Sequence, residues 1–505
     1  MTDRRHALAA ALAAAGLAFA AAPSAAQMTP SPQADAPPTP APRADVLTPE
    51  AVLEASAIQF PAILAGLADR RAAAGEALAA LGAFDLVFEA EGRDRVTGFW
   101  GGGYVDTRVK QNVRPFGGQI YGGYRVSGGE FPIYEDINFT NRAGELKIGA
   151  IFSLLRDRAI DARRFALQDT ALQRDAADLE LFLTRIGVQH KALNAYWRWI
   201  AAARRLEIFQ RLLNIARQRE AGLEEEVRQG ARAEIFLTEN LQNIMRRRRL
   251  VTEAERDLQR AANDLSLYYR AGDGTPITPT LSQAPPPAMV ENPPEANANA
   301  AADALARRPE LALLQNAFER ADNRVRLARN DLLPKLDVQA EFSRDFGEIG
   351  LGGASRDSND TILGLRFSVP LQRRAAKGRV EAARARMDAV QERRRQTRDQ
   401  IEIDVANILL DLSVSRQLVA IAEQEVDNAL AMQRAEQRRF STGFSDFFLV
   451  NLREEAAADA QIRGVNADLE MHIARANYDA ATVNTERLMV DADSGAAAPA
   501  YAGDR

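Results

Sequence analysis

Few residues in this sequence are of types that carry out covalent chemistry, and none of them are spaced to do it together. The only histidines are His6, His190 and His472, and there is no cysteine. A structural or catalytic metal site takes its His and Cys ligands a few residues apart, so no metal pair is readable, and disulfides and thiolate nucleophiles are excluded. No Gly-Lys-Ser/Thr loop offers to cradle phosphates, and no nucleophile elbow offers a serine. The glycine runs 101–103 and 117–123 do not follow a dinucleotide-binding spacing. Arg246, Arg247, Arg248 and Arg249 form the one dense basic run. Four consecutive residues point all round a helix, so they form no stripe for nucleic acid; Glu239, Glu253 and Glu255 lie at pairing distance along the chain. The net charge of −5 gives no reason to expect a nucleic-acid partner either. The sequence therefore reads as non-enzymatic, with no cofactor and no metal, and any energy it uses must come from a partner.

The chemistry that remains is electrostatic. In segment 84–91, Phe84, Leu86, Phe88 and Ala90 alternate with Asp85, Glu89 and Glu91, with Val87 as the exception. In segment 336–343, Leu336, Val338, Ala340 and Phe342 alternate with Asp337, Gln339, Glu341 and Ser343; in 363–369, leucines, Phe367 and Val369 alternate with Gly364, Arg366 and Ser368. Leu146, Ile148, Ala150 and Phe152 make a fourth stripe. Successive side chains of a strand point to opposite faces. These segments therefore predict strands with one apolar and one charged face, close to the roughly 9–11 residues of a tilted membrane strand. Apolar outside and polar inside is the signature of a barrel with a wet lumen. Asp85, Glu89, Glu91, Asp337, Glu341 and Arg366 are the predicted lumen residues. Because acids dominate that set, a mild cation preference is expected.

The strands are set between long helices. Phe165, Leu172, Leu179, Ile186, Leu193 and Ile200 recur every seven residues, and no proline interrupts 157–229. Leu237, Ile244, Val251, Leu258 and Leu265 form a second series, Val405, Leu412, Val419 and Val426 a third, and Phe448, Ile462, Leu469, Val483 and Val490 a fourth. Sustained heptads predict coiled-coil packing. The order helix, two strands, two long helices occurs twice, in 50–271 and 301–491, which predicts an internal duplication. Between the halves lies a Pro-rich linker, 272–300. At the start, Arg4 and Arg5, the apolar run 7–22 and the small residues Ser24 and Ala26 predict a secretory signal over 1–26. A Pro/Ala-rich leader, 27–49, and the tail 492–505 read as disordered. No later segment reads as a spanning helix, so the expected membrane span is β.

Four strands leave two sheet edges, and unpaired backbone groups in hydrocarbon cost several kcal/mol each. Closure takes about eight strands, which two copies would supply with only a side-chain-filled interior; three copies would give about twelve strands and an aqueous channel. The rival reading is a soluble periplasmic coiled-coil scaffold or adaptor in which the strands form a small soluble domain.

The ordered set Arg308-Pro309-Glu310-Leu311, Leu332-Leu333-Pro334-Lys335-Leu336, Ser368-Val369-Pro370-Leu371, and Gly443 before Asp446-Phe447-Phe448-Leu449 resembles the TolC-like outer-membrane factor (outer membrane efflux protein) family, over about residues 50–490. The resemblance implies an α+β membrane fold. Three copies with four strands each would form a twelve-stranded outer-membrane barrel, continued by a long α-helical coiled-coil barrel through the periplasm, with the linker and chain ends as an equatorial belt. It also implies an exit duct for a tripartite efflux pump or type I secretion system, docked on a periplasmic adaptor (membrane fusion) protein and coupled to an inner-membrane proton-driven or ATP-binding transporter. In the family the helix reversals form the periplasmic tip, so Gln229, Gly230, Ala231, Arg232, Thr442, Gly443, Phe444 and Ser445 become adaptor-contact residues by resemblance. The family also narrows its tip with acids; Glu423, Glu425, Asp427 and Glu436 lie nearby, but no motif selects among them. A departure from the pattern is the stretch 93–145, rich in Gly and aromatics (Trp100, Tyr104, Tyr121, Tyr124), which separates the first two expected strands.

Overall fold

The computed structural model describes residues 46–286, 300–349 and 359–490. The signal and leader up to residue 45, linker residues 287–299 and the tail from 491 lie outside the described residues. Helix α1 (Pro49–Gln59) starts at Thr48, whose hydroxyl accepts the Ala51 N–H, with proline at the first helical position. It is followed by α2 (Pro61–Leu81) and then by four strands: β1 (Leu86–Asp94), β2 (Gly103–Asn112), β3 (Gln119–Gly128) and β4 (Glu145–Ser153). Helix α3 (Ala162–Arg228) runs 67 residues from its Asp161 cap, and α4 (Glu234–Ser266) returns beside it. After α5 (Ala300–Arg307) and α6 (Pro309–Asn330) come β5 (Lys335–Asp345), β6 (Asp360–Ser368), α7 (Arg374–Ser441) of 68 residues, and α8 (Phe447–Ala481). At 1.5 Å per residue, α3 and α7 are each about 100 Å long.

The helices lie side by side in four columns. Helix α3 packs on α2 and α4 on one flank and on α6 and α8 on the other; α7 packs on α6 and α8. The column order is α2/α4, α3, α6/α8, α7. Predicted heptad residues supply part of the seams: Val405, Leu412 and Val419 of α7 are buried with Ile401, and Ile244 and Val251 of α4 pack on Leu206 and Leu213 of α3, which lie outside the predicted series. Each buried side chain of this size contributes about 1.5–3 kcal/mol.

The sheet differs from expectation. It has six strands among the described residues, all antiparallel, in the order β1-β2-β3-β4-β5-β6. Four strands per copy was the expectation, and that count is corrected: β1 does not pair with β4, because a complete hairpin, β2–β3, stands between them. The stretch 93–145 resembles loop because Gly102, Gly103, Gly122 and Gly123 interrupt it. Yet Val105, Thr107 and Val109 alternate on β2, and Ile120, Tyr124 and Val126 on β3. The helix-side turn of this hairpin closes with Val113 N donating to Gly118 O (2.9 Å) and seats on the start of α3, where Arg163 Nη2 donates to Gly117 O (3.2 Å).

No spanning helix was expected, but 49–84 and α7 each contain a window long and apolar enough to cross a membrane by composition. In the fold both belong to the helical columns. Helix α7 carries a second apolar stripe, Ile403, Leu410, Val414, Leu418 and Ile421, which is exposed along the outer edge of the four columns. At the opposite edge Leu64 and Leu78 of α2 and Leu241 and Met245 of α4 are exposed.

Candidate functional site: a two-faced sheet and a paired tip

Register assigns every strand residue to a face. One face carries Leu86, Phe88 and Ala90, then Val105 and Val109, Ile120 and Val126, Leu146, Ile148 and Phe152, Leu336, Val338 and Phe342, and finally Leu363, Leu365 and Phe367. Many are exposed, which in water would be an uncovered apolar area far larger than a soluble protein carries. The other face carries charge. Glu89, Glu91, Asp337, Glu341 and Arg366, expected to line a lumen, all lie on this one face. Asp85 does not: β1 starts one residue later, and Asp85 N–H donates back to Gly82 O at the exit of a 3-10 turn.

The hairpin that the sequence reading missed alters the electrostatics. It adds Arg108, Lys110 and Arg125 against one acid, Asp106, and β4 adds Lys147 with Glu145. With Arg93 included, Glu89, Glu91, Asp106, Glu145, Asp337 and Glu341 are matched by Arg93, Arg108, Lys110, Arg125, Lys147 and Arg366. At the strand ends Lys335, Asp345 and Asp360 join them. Several pair across strands: Lys110 with Glu89, Arg125 Nε with Asp106 (2.8 Å), and Lys147 with its strand neighbour Glu145 (3.1 Å). The wall is thus nearly neutral, and the expected acid dominance belongs only to β1 and β5.

Tyr121 organises this face. Its hydroxyl donates to Glu341 and accepts from Gln339 Nε2 (3.0 Å), both on β5, so the ring must lie across the intervening strand β4. It can do so because β4 has Gly149 there; a Cβ on Gly149 would stand 2.3 Å from the tyrosine Cζ. The four aromatics of the departure segment divide by role. Tyr104 and Tyr121 point to the polar face, Tyr124 lies on the apolar face, and Trp100 sits against Phe99 in the β1–β2 loop.

At the other end of the helices the two reversals meet. Gly230 (φ +74°) and Gly443 (φ +80°) occupy the left-handed region that ends helices, and nothing lies near where their Cβ atoms would be. Arg232 binds Glu226 (2.6 Å) and its guanidinium lies over the rings of both Phe236 (5.4 Å) and Phe440 (5.3 Å), the first beside one turn and the second beside the other. Phe447, fully buried, closes the cluster against Phe236 and Phe440. Thr442 Oγ1 donates to Arg438 O (3.1 Å), Ser445 donates to Glu436, and Phe444 projects 77% exposed. Gln229 caps α3 and Ala231 N–H returns to Glu226 O (2.9 Å). All eight predicted tip residues are therefore brought to one end of the molecule. Of the nearby acids, Glu436 is buried on Ser445 and Glu425 pairs with Arg463 (2.6 Å).

Behind the tip is a feature that sequence reasoning missed. Arg247 is 1% exposed, and Glu454 is fully buried. The Arg247 guanidinium donates to Glu454 Oε2 (2.9 Å) and to Leu212 O (3.0 Å); Arg219 also binds Glu454 and donates to Asn451 Oδ1 (2.9 Å). One carboxylate thus ties α3, α4 and α8. Burial pushes the Arg247 guanidinium down from its ordinary value, and Glu454 pulls it back toward the charged form. Of the four consecutive arginines, one turns inward, as their all-round spacing allows. Higher up, the His472 ring stacks on Trp197 at 3.7 Å between ring centres.

A sheet with one apolar face and one charged face is thus set on about 100 Å of helical columns. Residues 300–482 match the family profile described as outer membrane efflux protein. No curated protein matches the chain in sequence. Its fold is similar to that of the outer-membrane channel OprN (TM-score 0.63, 16% identity, covering 86% of this chain and 89% of that one). It is similar also to the CmeC outer membrane channel of Campylobacter jejuni (0.62, 13%, 86% and 85%) and the outer membrane protein VceC of Vibrio cholerae (0.60, 16%, 86% and 95%). The profile match covers the second half of the chain, where the quoted motifs lie, and the likeness in fold extends through the first half.

Proposed function

We propose that three copies of this chain form the exit duct of a tripartite efflux pump or type I secretion system, which receives solute from an inner-membrane transporter through a periplasmic adaptor. The observation that carries the reading is the pair of open seams. Among the described residues, strands β1 and β6 pair on one side only, and the apolar stripes of α7 and of α2/α4 are uncovered along the same two edges. β1 directly follows α2, and β6 directly precedes α7, so each seam runs from sheet to helices. A neighbouring copy satisfies both at once; a soluble scaffold would leave them in water. The adaptor would seat on the tip, where Phe444 offers an exposed aromatic beside Gly443.

The test is assembly and docking in membranes. The protein should fractionate with the outer membrane, require detergent and migrate as three copies, and Phe444→Asp should abolish cross-linking to the adaptor while leaving the trimer intact. Release by osmotic shock as a monomer would overturn the reading. Loss of the chain should raise retention of small toxic solutes if the partner is a pump, and block export of one protein if it is a secretion transporter.

A further inference from the structure

We infer that the closed barrel of this channel has eighteen strands, six from each copy, and that the β2–β3 hairpin is the element that widens it to the width of its helical tube. The inference rests on the three-copy reading above. The hairpin is part of the wall. β2 pairs with β1 over nine positions and β3 with β4 over seven. Its residues follow the same apolar/polar alternation as the other strands, and its inner turn is anchored on α3. A sheet interrupted there would leave β1 and β4 as extra edges in lipid, which the backbone does not tolerate. An even strand number also keeps the seam consistent: β6 of one copy meets β1 of the next antiparallel, like every other neighbour in the sheet.

The dimensions agree. A strand spaced about 4.8 Å from its neighbour and tilted about 40° takes up roughly 6 Å of circumference, so six take up about 38 Å. Four helix columns spaced about 8–10 Å take up about 32–40 Å. The two halves of each copy therefore subtend the same arc, and the tube continues from helices to sheet without narrowing. With four strands the arc would be about 25 Å, and the wall would have to pinch by a third where it enters the membrane. For three copies the backbone diameters are about 36 Å with eighteen strands and about 24 Å with twelve.

The chain contains no cysteine, so single labels are specific. Leu363→Cys, on the lipid face of β6 and 78% exposed, would be spin-labelled in detergent-solubilised full-length protein. Leu365→Cys on the same strand and face serves as a second site. Pulsed dipolar spectroscopy reads both the number of coupled spins and their separation. Three coupled spins about 30 Å apart, once the label arm is subtracted, are expected from the larger circle. Three coupled spins about 20 Å apart would overturn the eighteen-strand barrel and leave the trimeric duct standing. Two coupled spins, or none, would overturn the three-copy reading and this inference with it.

Discussion

The sheet and the tip both carry ion pairs, but they use them in opposite ways. On the sheet, Lys110 and Glu89 pair with 34% and 49% of their side chains still exposed. Near the tip, Arg247 and Glu454 pair with essentially none exposed. A solvated pair contributes about 0–1 kcal/mol, because water competes for both partners. A buried pair yields little net stability but is costly to break, since removing one partner strands the other. The wall's charges can therefore be changed at little cost to stability, whereas the charges behind the tip fix the relative positions of three helices.

The largest expected effect tests that contrast directly. Glu454→Gln leaves Arg247 and Arg219 without their shared anion and should cost about 3–5 kcal/mol, read as a fall in the denaturant midpoint of the helical signal. Glu89→Gln should cost less than about 1 kcal/mol in the same assay. Equal losses would erase the distinction between the two regions.

Next in size is the response to acid, which comes from the helices. Burial of His472, with help from Arg204 and Arg487, pushes its imidazole down to about 4. The unfolded chain binds this proton near 6.5 and the folded chain only near 4, so the stabilisation is whole above pH 6.5. It is lost progressively as pH falls toward 4, by about 3 kcal/mol. His472→Phe keeps a ring against Trp197 and removes the titration; its stability should be flatter across that window. An unchanged slope would show that another group drives the acid response.

The smallest effect concerns selectivity. With opposite charges nearly balanced along the strands, reversal potentials in planar bilayers under a salt gradient should lie close to zero. The double change Lys110→Gln, Arg125→Gln removes the cations paired with Glu89 and, beside Arg108, with Asp106, and should move the potential toward cations. A strongly cation-selective native channel would show that β1 and β5 alone set the lumen charge.

Much of this architecture was legible in the sequence. The heptads gave the long helices, and alternation gave β1, β4, β5 and β6 to within a few residues. Two things were not legible. The β2–β3 hairpin was hidden by glycines that serve packing rather than turning: Gly149 on the neighbouring strand shows the same use, making room for Tyr121. And the inward turn of Arg247 depends on which face of α4 meets α8, a fact of tertiary packing that an unbroken run of arginines does not encode. The two helix reversals were legible because glycine at a helix end has a local cause, whereas the start of β1 just after Asp85 was not, because strand boundaries have none.

The second apolar stripe of α7 has a consequence for biogenesis. If the three-copy duct proposed above is right, a solitary copy carries an adhesive strip along much of α7, with its mate on the opposite flank of the same molecule. Such a head-to-tail pair of surfaces can chain without limit as readily as it can ring. The time a copy spends alone would then be its hazard, and rapid encounter with siblings would keep that interval short.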